Sequence, residues 1–452
     1  MRITDLNREG GIGSNSLFIE IGNFKIVVDA GLHPKFVGLD AAPQFDAIKD
    51  EQIDCVIITH CHLDHIGSVP LILRDHPEAR VFMSLASDFL LERMLHNSCN
   101  VMKRQKAEQS IPEYPLFEHE ELEELAKRFE PLRYKKTHTL VKDGQRLEFI
   151  LHAAGHVVGA CGIEIKCDGK TVFHSGDVLF NNQRILPGAD FPDKEFDTVI
   201  LETTKGATES NPADHREVEV DRLLAGIRNT LERGGSVLIP VFALGRMQEI
   251  ITILNDARKE GLIPRCPVFG AGLGLALSDY FDQIAKRTGA ISFTRKSIKE
   301  LKMRRPPKKL VPGKELSAQG IYILSSGMLV EHTPSYMLAS TLLHRGRNSI
   351  FFVGYCDPDT PGGKLLASET GDEFIFEAID YQTNIRAQVD HFQLSGHADR
   401  EELLAFALRA NPKNIVLTHG DQNARDWFSQ SIKSADPTIQ VIDPTPLEPY
   451  TI

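Results

Sequence analysis

Apolar and polar positions along this chain follow two rhythms. Alternation over residues 14–21 and 25–29, broken by Gly22-Asn23, predicts a hairpin whose second strand ends at Asp29-Ala30-Gly31. The short apolar run Cys55-Val56-Ile57-Ile58-Thr59 predicts a buried strand, and residues 65–73 predict a turn entering a helix. Residues 84–130, rich in Leu, Glu, Lys and Arg at helical spacing, predict a mainly helical connection. Strand patterns return at 146–152, 161–166, 171–174, 198–202 and 414–418. Between about Lys205 and Gln388 the rhythm changes. A helix over 217–233, Gly234-Gly235 and a strand over 236–240 lead into helix, strand and a helix over 276–287, then strands over 320–324 and 349–354, which is doubly wound α/β patterning.

Polar residues with metal-binding chemistry gather where the first set of strands ends. Thr59-His60-Cys61-His62-Leu63-Asp64-His65 puts three histidines and a carboxylate within six residues. On an extended backbone His60 and His62 point to one side, while Asp64 and His65 at a helix start can turn toward a second ion. Cys61 alternates away from both and is expected to pack. The same device recurs at Ala153-Ala154-Gly155-His156, at His174-Ser175-Gly176-Asp177, at Glu202 after its strand and at His419 after residues 414–418; His397 and Asp399 precede a helix. Any one of these is ordinarily a turn residue or a helix cap. Together they describe ligands delivered around one sheet, and imidazole with carboxylate suits zinc, manganese or iron.

Composition narrows the picture. A chain of 452 residues implies more than one domain, and 42% hydrophobic with 25% charged residues is ordinary for globular proteins. A net charge of −11 argues against a broadly basic nucleic-acid binder, though not against a local basic groove. The sequence shows no signal-peptide pattern and no apolar run of membrane-spanning length, so a cytoplasmic protein with no membrane association is expected. Seven scattered Cys without a CxxC pair read as reduced thiols. Because Glu202 precedes the doubly wound segment and His397 follows it, that segment is expected to be an insertion: 1–204, the first part of a metal domain; 205–388, the insert; 389–452, the remainder of the metal domain.

His60-x-His62-x-Asp64-His65, His156, Asp177 and His419 resemble the metal-binding motifs of the metallo-β-lactamase fold, a four-layer αββα sandwich with a dinuclear centre. Glu202, His397 and His419 resemble the three further motifs of its β-CASP branch, whose members process nucleic acids. Residues 233–246 and Ser325-Ser326-Gly327-Met328-Leu329 look like those of the polyadenylation-factor endonuclease and its prokaryotic relatives, and the histidine at 419 is similar to the RNA-processing members. The expected fold is therefore α/β: that sandwich with an inserted doubly wound β-CASP domain.

The resemblance implies two divalent ions, zinc first with manganese or iron as alternatives. His60, His62 and His156 would hold one, Asp64, His65 and His419 the other, and Asp177 would bridge them; Asp29 matches a motif whose carboxylate orients the histidine loop. Two such ions roughly 3.5 to 4 Å apart share a hydroxide and clamp phosphate oxygens. His397, holding no metal in this scheme, is the candidate general acid, with Glu202 fixing its tautomer. Ser325, Ser326, Gly327 and Arg246 are the implied phosphate contacts.

The expected function is thus a ribonuclease, endo- or 5′-to-3′ exonuclease, acting on single-stranded RNA, with single-stranded DNA the other candidate. A small-molecule thioester or lactone hydrolase and a catalytically silent RNA-binding scaffold are the competing readings. Substrate-facing loops depart from the family pattern at Lys205, at Gly270-Ala271-Gly272 and at Glu331-His332-Thr333, and with no RNA-binding extension expected, a homodimer or partner protein would supply specificity. Residues 295–309 carry eight Lys and Arg in an otherwise acidic chain, either a guide for an RNA backbone or a solvated loop.

Overall fold

The computed structural model describes residues 1–209 and 216–452. They divide into two units: residues 1–182, 187–209 and 397–452 form one, residues 183–186 and 216–396 the other.

The first unit is built on two seven-stranded sheets. In one, β1 (Arg2–Asp5), β2 (Leu17–Ile21), β3 (Phe24–Val28), β4 (Cys55–Ile57), β5 (Arg80–Ser84) and β6 (Phe129–Leu132) lie side by side in chain order, with β21 (Pro449–Thr451) outside β1. The other runs β20 (Gln440–Ile442), β19 (Asn414–Thr418), β11 (Thr198–Glu202), β10 (Lys170–His174), β9 (Cys161–Cys167), β8 (Gln145–Ala153) and β7 (Thr137–Lys142). Ile19, Ile26 and Ile57 of the first sheet pack against Phe149, Ile163, Ile200 and Val416 of the second, so the main core lies between them.

Helices cover the outer faces. α1 (Leu63–Ile66), α2 (Val69–Asp75), α3 (Leu85–Gln109) and α4 (His119–Ala126) belong to the first sheet's side, where α3 meets β5 and β6. α11 (Arg400–Arg409) and α12 (Gln422–Ala435) close the other, where Phe406, Phe428 and Ile432 bury against Phe173, Leu201 and Leu417. Each such side chain contributes roughly 1.5–3 kcal/mol of transfer free energy. With both faces covered, central strands read as unbroken apolar runs, as Cys55–Ile57 does. This is the expected four-layer αββα sandwich.

In the second unit, β13 (Val268–Ala271), β14 (Ile321–Leu324), β12 (Val237–Pro240), β15 (Ser349–Phe352) and β18 (Gln388–His391) form a wholly parallel sheet in that order. α5 (Arg216–Glu232), α6 (Arg246–Lys259), α7 (Leu273–Thr288), α8 (Lys296–Glu300), α9 (Pro334–Leu342) and α10 (Pro361–Leu366) alternate with these strands, and β16 (Glu373–Phe376) pairs with β17 (Tyr381–Asn384) beside them. Leu238, Tyr322 and Ile350 pack with Leu338 and Leu342 of α9, while Val237, Ile239 and Ile323 are fully buried on the opposite face. The doubly wound insert is as expected. The connection leaving β12 runs toward β13 and that leaving neighbouring β15 runs toward β18, so the switch point, where open α/β sheets bind ligands, falls between β12 and β15. Among the described residues, no helix is long and apolar enough to cross a membrane.

Candidate metal centre

Each candidate ligand leaves the C-terminal end of a strand in the first unit. β3 runs into Asp29, β4 into His60–His65, β8 into His156, β10 into Asp177, β11 into Glu202 and β19 into His419. β10, β11 and β19 are mutually parallel, and β8 shares their direction through antiparallel β9. Their ends therefore meet along one edge. Gly176 (φ 55°) makes the turn before Asp177; a Cβ there would stand 2.5 Å from the carbonyl oxygen of Cys161, so a side chain could not be accommodated.

Three ring nitrogens converge first: His62 Nδ1 is 3.1 Å from both His60 Nε2 and His156 Nε2. On the other side, Asp64 Oδ2 lies 3.5 Å from His419 Nε2 and 3.7 Å from His65 Nε2. Asp177 reaches both groups. Its Oδ2 is 3.7 Å from His60, 3.8 Å from His156 and 3.5 Å from His65, and its Oδ1 is 3.3 Å from His419. Glu202 and His397 also come within a ligand cluster with Asp177 and His419.

The donor set fits two divalent cations. Two imidazole nitrogens facing a third cannot all be satisfied by hydrogen bonds among themselves, and His62 Nε2 is buried without a hydrogen-bond partner among the described residues. Five imidazoles and one carboxylate, Asp64, set on opposite sides of a second carboxylate, Asp177, suit first-row divalent ions. Burial holds the His60 imidazole well below its ordinary pKa, with His65 adding to the effect, so it offers a neutral lone pair. Burial likewise opposes charge on His65, but Asp177, Asp29 and Asp64 outweigh it and raise that imidazole well above its ordinary value. For Asp177, burial is outweighed by His419 and His65, which hold the carboxyl far below the usual range. A cation held at this cluster would take the place of the His65 proton, and its affinity would then rise with pH.

Asp29, in the left-handed region at φ 62°, organises the histidine loop. Its Oδ1 accepts the Thr59 N–H at 2.7 Å and its Oδ2 accepts from the Thr59 hydroxyl at 2.6 Å and from His65 Nδ1 at 2.7 Å. This is why β4 ends at Ile57 rather than continuing to Thr59: the Thr59 amide bonds to a side chain instead of the ladder. Asp29→Asn keeps a residue type that tolerates positive φ but supplies an amide where two acceptor oxygens are used. We expect metal affinity to fall about 10- to 100-fold, read by titration against a competing chelator; unchanged affinity would contradict the orienting role.

His397 Nδ1 lies 3.1 and 3.0 Å from the two oxygens of Glu202, whose Oε1 also accepts the Val178 N–H at 2.7 Å. Burial lowers the His397 pKa, but the adjacent Glu202 charge and hydrogen bond outweigh it, and the net displacement is upward. Cys61 packs, its thiol donating to the Ser87 carbonyl at 3.3 Å.

Sequence reasoning missed two hydroxyls and the partner of one cation. Thr59 links Asp29 to the loop; Thr204 donates its hydroxyl to Glu202 and meets His419 Nδ1 at 2.8 Å, leaving His419 Nε2 toward Asp64. Lys205 pairs with Asp399, two residues after His397. A threonine next to a ligand has no spacing signature. In the second unit Ser325, Ser326 and Gly327 follow β14 and Arg246 opens α6 after β12, at the C-terminal ends of neighbouring strands. Arg246 is buried, its Nη1 3.7 Å from Glu249 Oε2 and, among the described residues, without a hydrogen bond; burial and then Arg216 bring its pKa down to about 10. The Ser326 hydroxyl accepts the Val330 N–H. Gly270–Gly272 closes β13 and enters α7, which starts at Leu273, earlier than the expected 276.

Residues 10–225 match the metallo-beta-lactamase superfamily, residues 247–365 the Beta-Casp domain, and residues 383–442 the Zn-dependent metallo-hydrolase RNA specificity domain. Similar curated proteins include an Integrator complex subunit 11 homolog of Dictyostelium discoideum, 27% identical over 96% of this chain and 59% of its own length. Endoribonuclease YSH1 of Candida glabrata is 27% identical over 96% of this chain and 56% of its own, and Integrator complex subunit 11 of Danio rerio 28% over 96% and 71%. The chain thus spans less than two thirds of the first two of these. A solved structure of a protein of unknown function from Enterococcus faecalis V583 shares the fold over 100% of this chain and 99% of that one, with TM-score 0.57 at 13% identity.

Proposed function

We propose that this chain, which belongs to the metallo-β-lactamase superfamily and carries its β-CASP insertion, is a metal-dependent phosphodiester hydrolase that cleaves single-stranded RNA. The observation that supports the reading best is the gathering of donor atoms from His60, His62, Asp64, His65, His156, Asp177 and His419, with His397 beside them held by Glu202. A scaffold would have no use for that pairing. The similarity to a named endoribonuclease and the match to an RNA specificity domain support RNA as the substrate.

In this reading His60, His62 and His156 hold one ion, Asp64, His65 and His419 the other, and Asp177 lies between them; zinc is the proposed metal, for its affinity for imidazole. Two bound divalent ions supply an activated water at neutral pH and neutralise charge on the phosphate. The protein's own residues do the rest. Glu202 fixes the His397 tautomer by binding Nδ1, so Nε2 is the atom that delivers a proton to the departing ribose oxygen. Lys205, by pairing with Asp399, ties the loop after β11 to the segment bearing His397. Ser325–Gly327 and Arg246 receive flanking phosphates; Arg246 Nη1, which makes no hydrogen bond among the described residues, is a donor for an anion. The proposed domain limits remain 1–204, 205–388 and 389–452. Partner proteins are proposed as well, since two relatives are named as subunits of a complex.

The test is incubation of the chain, loaded in turn with zinc, manganese and iron, with single-stranded RNA and DNA carrying 5′-phosphate or 5′-hydroxyl ends. RNA should be shortened and DNA largely spared, with the product ladder separating internal cleavage from 5′-end trimming. RNA recovered intact with every metal overturns the proposal.

A further inference from the structure

The second unit carries a concentration of positive charge that the metal chemistry does not use. α6 ends at Lys259, the chain returns through Arg265-Cys266-Pro267 to β13, and the segment after α8 brings Lys302 and Arg304 alongside. These stretches line an open groove of roughly 610 Å³. Its walls hold five cations, Arg258, Lys259, Arg265, Lys302 and Arg304, against one carboxylate, Glu300, in a chain whose net charge is −11.

The groove is rigidly built. Arg258 spans its walls, donating from Nη1 to the Leu301 carbonyl at 3.0 Å and from Nη2 to that of Cys266 at 2.6 Å, with Nε buried and unpartnered among the described residues. The Arg304 backbone is fastened to edge strand β13, accepting from Gly270 N–H and donating to the Val268 carbonyl, both at 2.9 Å. Lys302 is turned outward by a left-handed backbone at φ 50°. Glu300 is already engaged by Lys259 at 2.9 Å, Asn255 at 2.9 Å and Lys296 at 3.4 Å. Arg265, Lys302 and Arg304 are exposed, and among the described residues their side chains make no ion pair or hydrogen bond. Three exposed, uncompensated cations lining one groove are what a phosphodiester backbone binds. An acidic protein partner would also need an apolar anchor at the centre, and the lining offers only Cys266, Pro267 and Leu301.

Position adds to the argument. α6 begins at the C-terminal end of β12 and finishes at the other end of the sheet, where the Pro267 carbonyl accepts the first amide of β14. The groove is thus at the opposite end of the strands from Ser325–Gly327 and Arg246. Four-residue strands separate the two by about 13 Å, a few nucleotides of extended chain.

We propose that this groove is a second binding site for single-stranded RNA, holding backbone phosphates of a strand longer than the catalytic site accommodates. The proposal rests on the RNA reading above. The test measures binding by the full chain in EDTA, where no cleavage competes, to a 30-nucleotide and a 5-nucleotide RNA over a range of salt, for the wild type and for the triple variant Arg265→Gln, Lys302→Gln, Arg304→Gln. All three side chains are exposed, so the fold should be kept. The expected result is about tenfold weaker binding of the long RNA, with the slope of log affinity against log salt reduced by about 2, and unchanged binding of the short one. A control removing three exposed cations elsewhere, Arg104→Gln, Lys127→Gln, Lys413→Gln, should leave the slope alone. Identical slopes for the wild type and the first variant overturn the groove while leaving the RNA reading intact. Equal losses in both triple variants also overturn it, since net charge would then be the cause. A wild type that binds polyglutamate but no RNA overturns both.

Discussion

Replacing Asp177 with Asn should abolish RNA cleavage by about three orders of magnitude and at the same time lower the bound metal from two ions per chain. The reason lies in its reach. Among the described residues, no other carboxylate comes within 4 Å of both the His60/His156 side and the His65/His419 side of the centre. Asparagine keeps the volume and the packing of the turn at Gly176 but replaces an anion shared by two cations with a neutral amide. Loss of several kcal/mol of charge stabilisation corresponds to the stated rate, since each 1.4 kcal/mol is tenfold. Elemental analysis after gel filtration reads the metal, and a cleavage assay the rate. A variant that still holds two ions would show that Asp177 is not shared, whatever its rate.

That prediction depends on a residue the sequence made visible only in company. His60 to His65 are legible alone because four donors fall in one short stretch after an apolar run, a local pattern. Asp177 and His419 became readable through repetition of the same device, a polar residue just past a strand. Other features depend on contacts that no local pattern encodes. β1 pairs with β21, so Arg2 meets Thr451 across nearly the whole chain, and neither short segment has enough alternation to announce a strand. β5 and β6, with Arg80 and Glu130 paired across them, were hidden at the ends of the helical stretch 84–130. Thr59 and Thr204 act through single hydroxyls whose importance comes entirely from what the fold places opposite them, Asp29 in one case and His419 in the other. Lys205 was noticed as a departure from a family pattern, but its pairing with Asp399 required the geometry. The basic stretch 295–309 was equally visible, yet only the fold shows which of its cations are neutralised, as Arg295 is by Asp279 and Lys296 by Glu300, and which stand free on the groove wall.

Replacing His397 with Ala should leave both metals bound and slow RNA cleavage by roughly 10²- to 10⁴-fold, the usual contribution of a positioned general acid. His397 is held by Glu202 at 3.0 Å and is 13% exposed, while its ring stands 4.5 Å from that of His156 and 5.9 Å from that of His419. It is close enough to serve the reacting phosphate without being needed in either ligand triplet. An acid acts only while protonated, and the Glu202 carboxylate raises the His397 pKa against the effect of burial. The wild-type rate should therefore fall as pH rises past that raised value; the variant's profile should lack this alkaline limb. A phosphodiester with a nitrophenolate leaving group, which departs without a proton, separates the roles further. The variant should hydrolyse it within a few-fold of the wild-type rate while remaining severely impaired on RNA, because only the ribose oxygen requires the proton. Equal losses on both substrates would assign His397 to the binding of the phosphate or the metals, and wild-type cleavage of RNA by the variant would remove it from the reaction altogether.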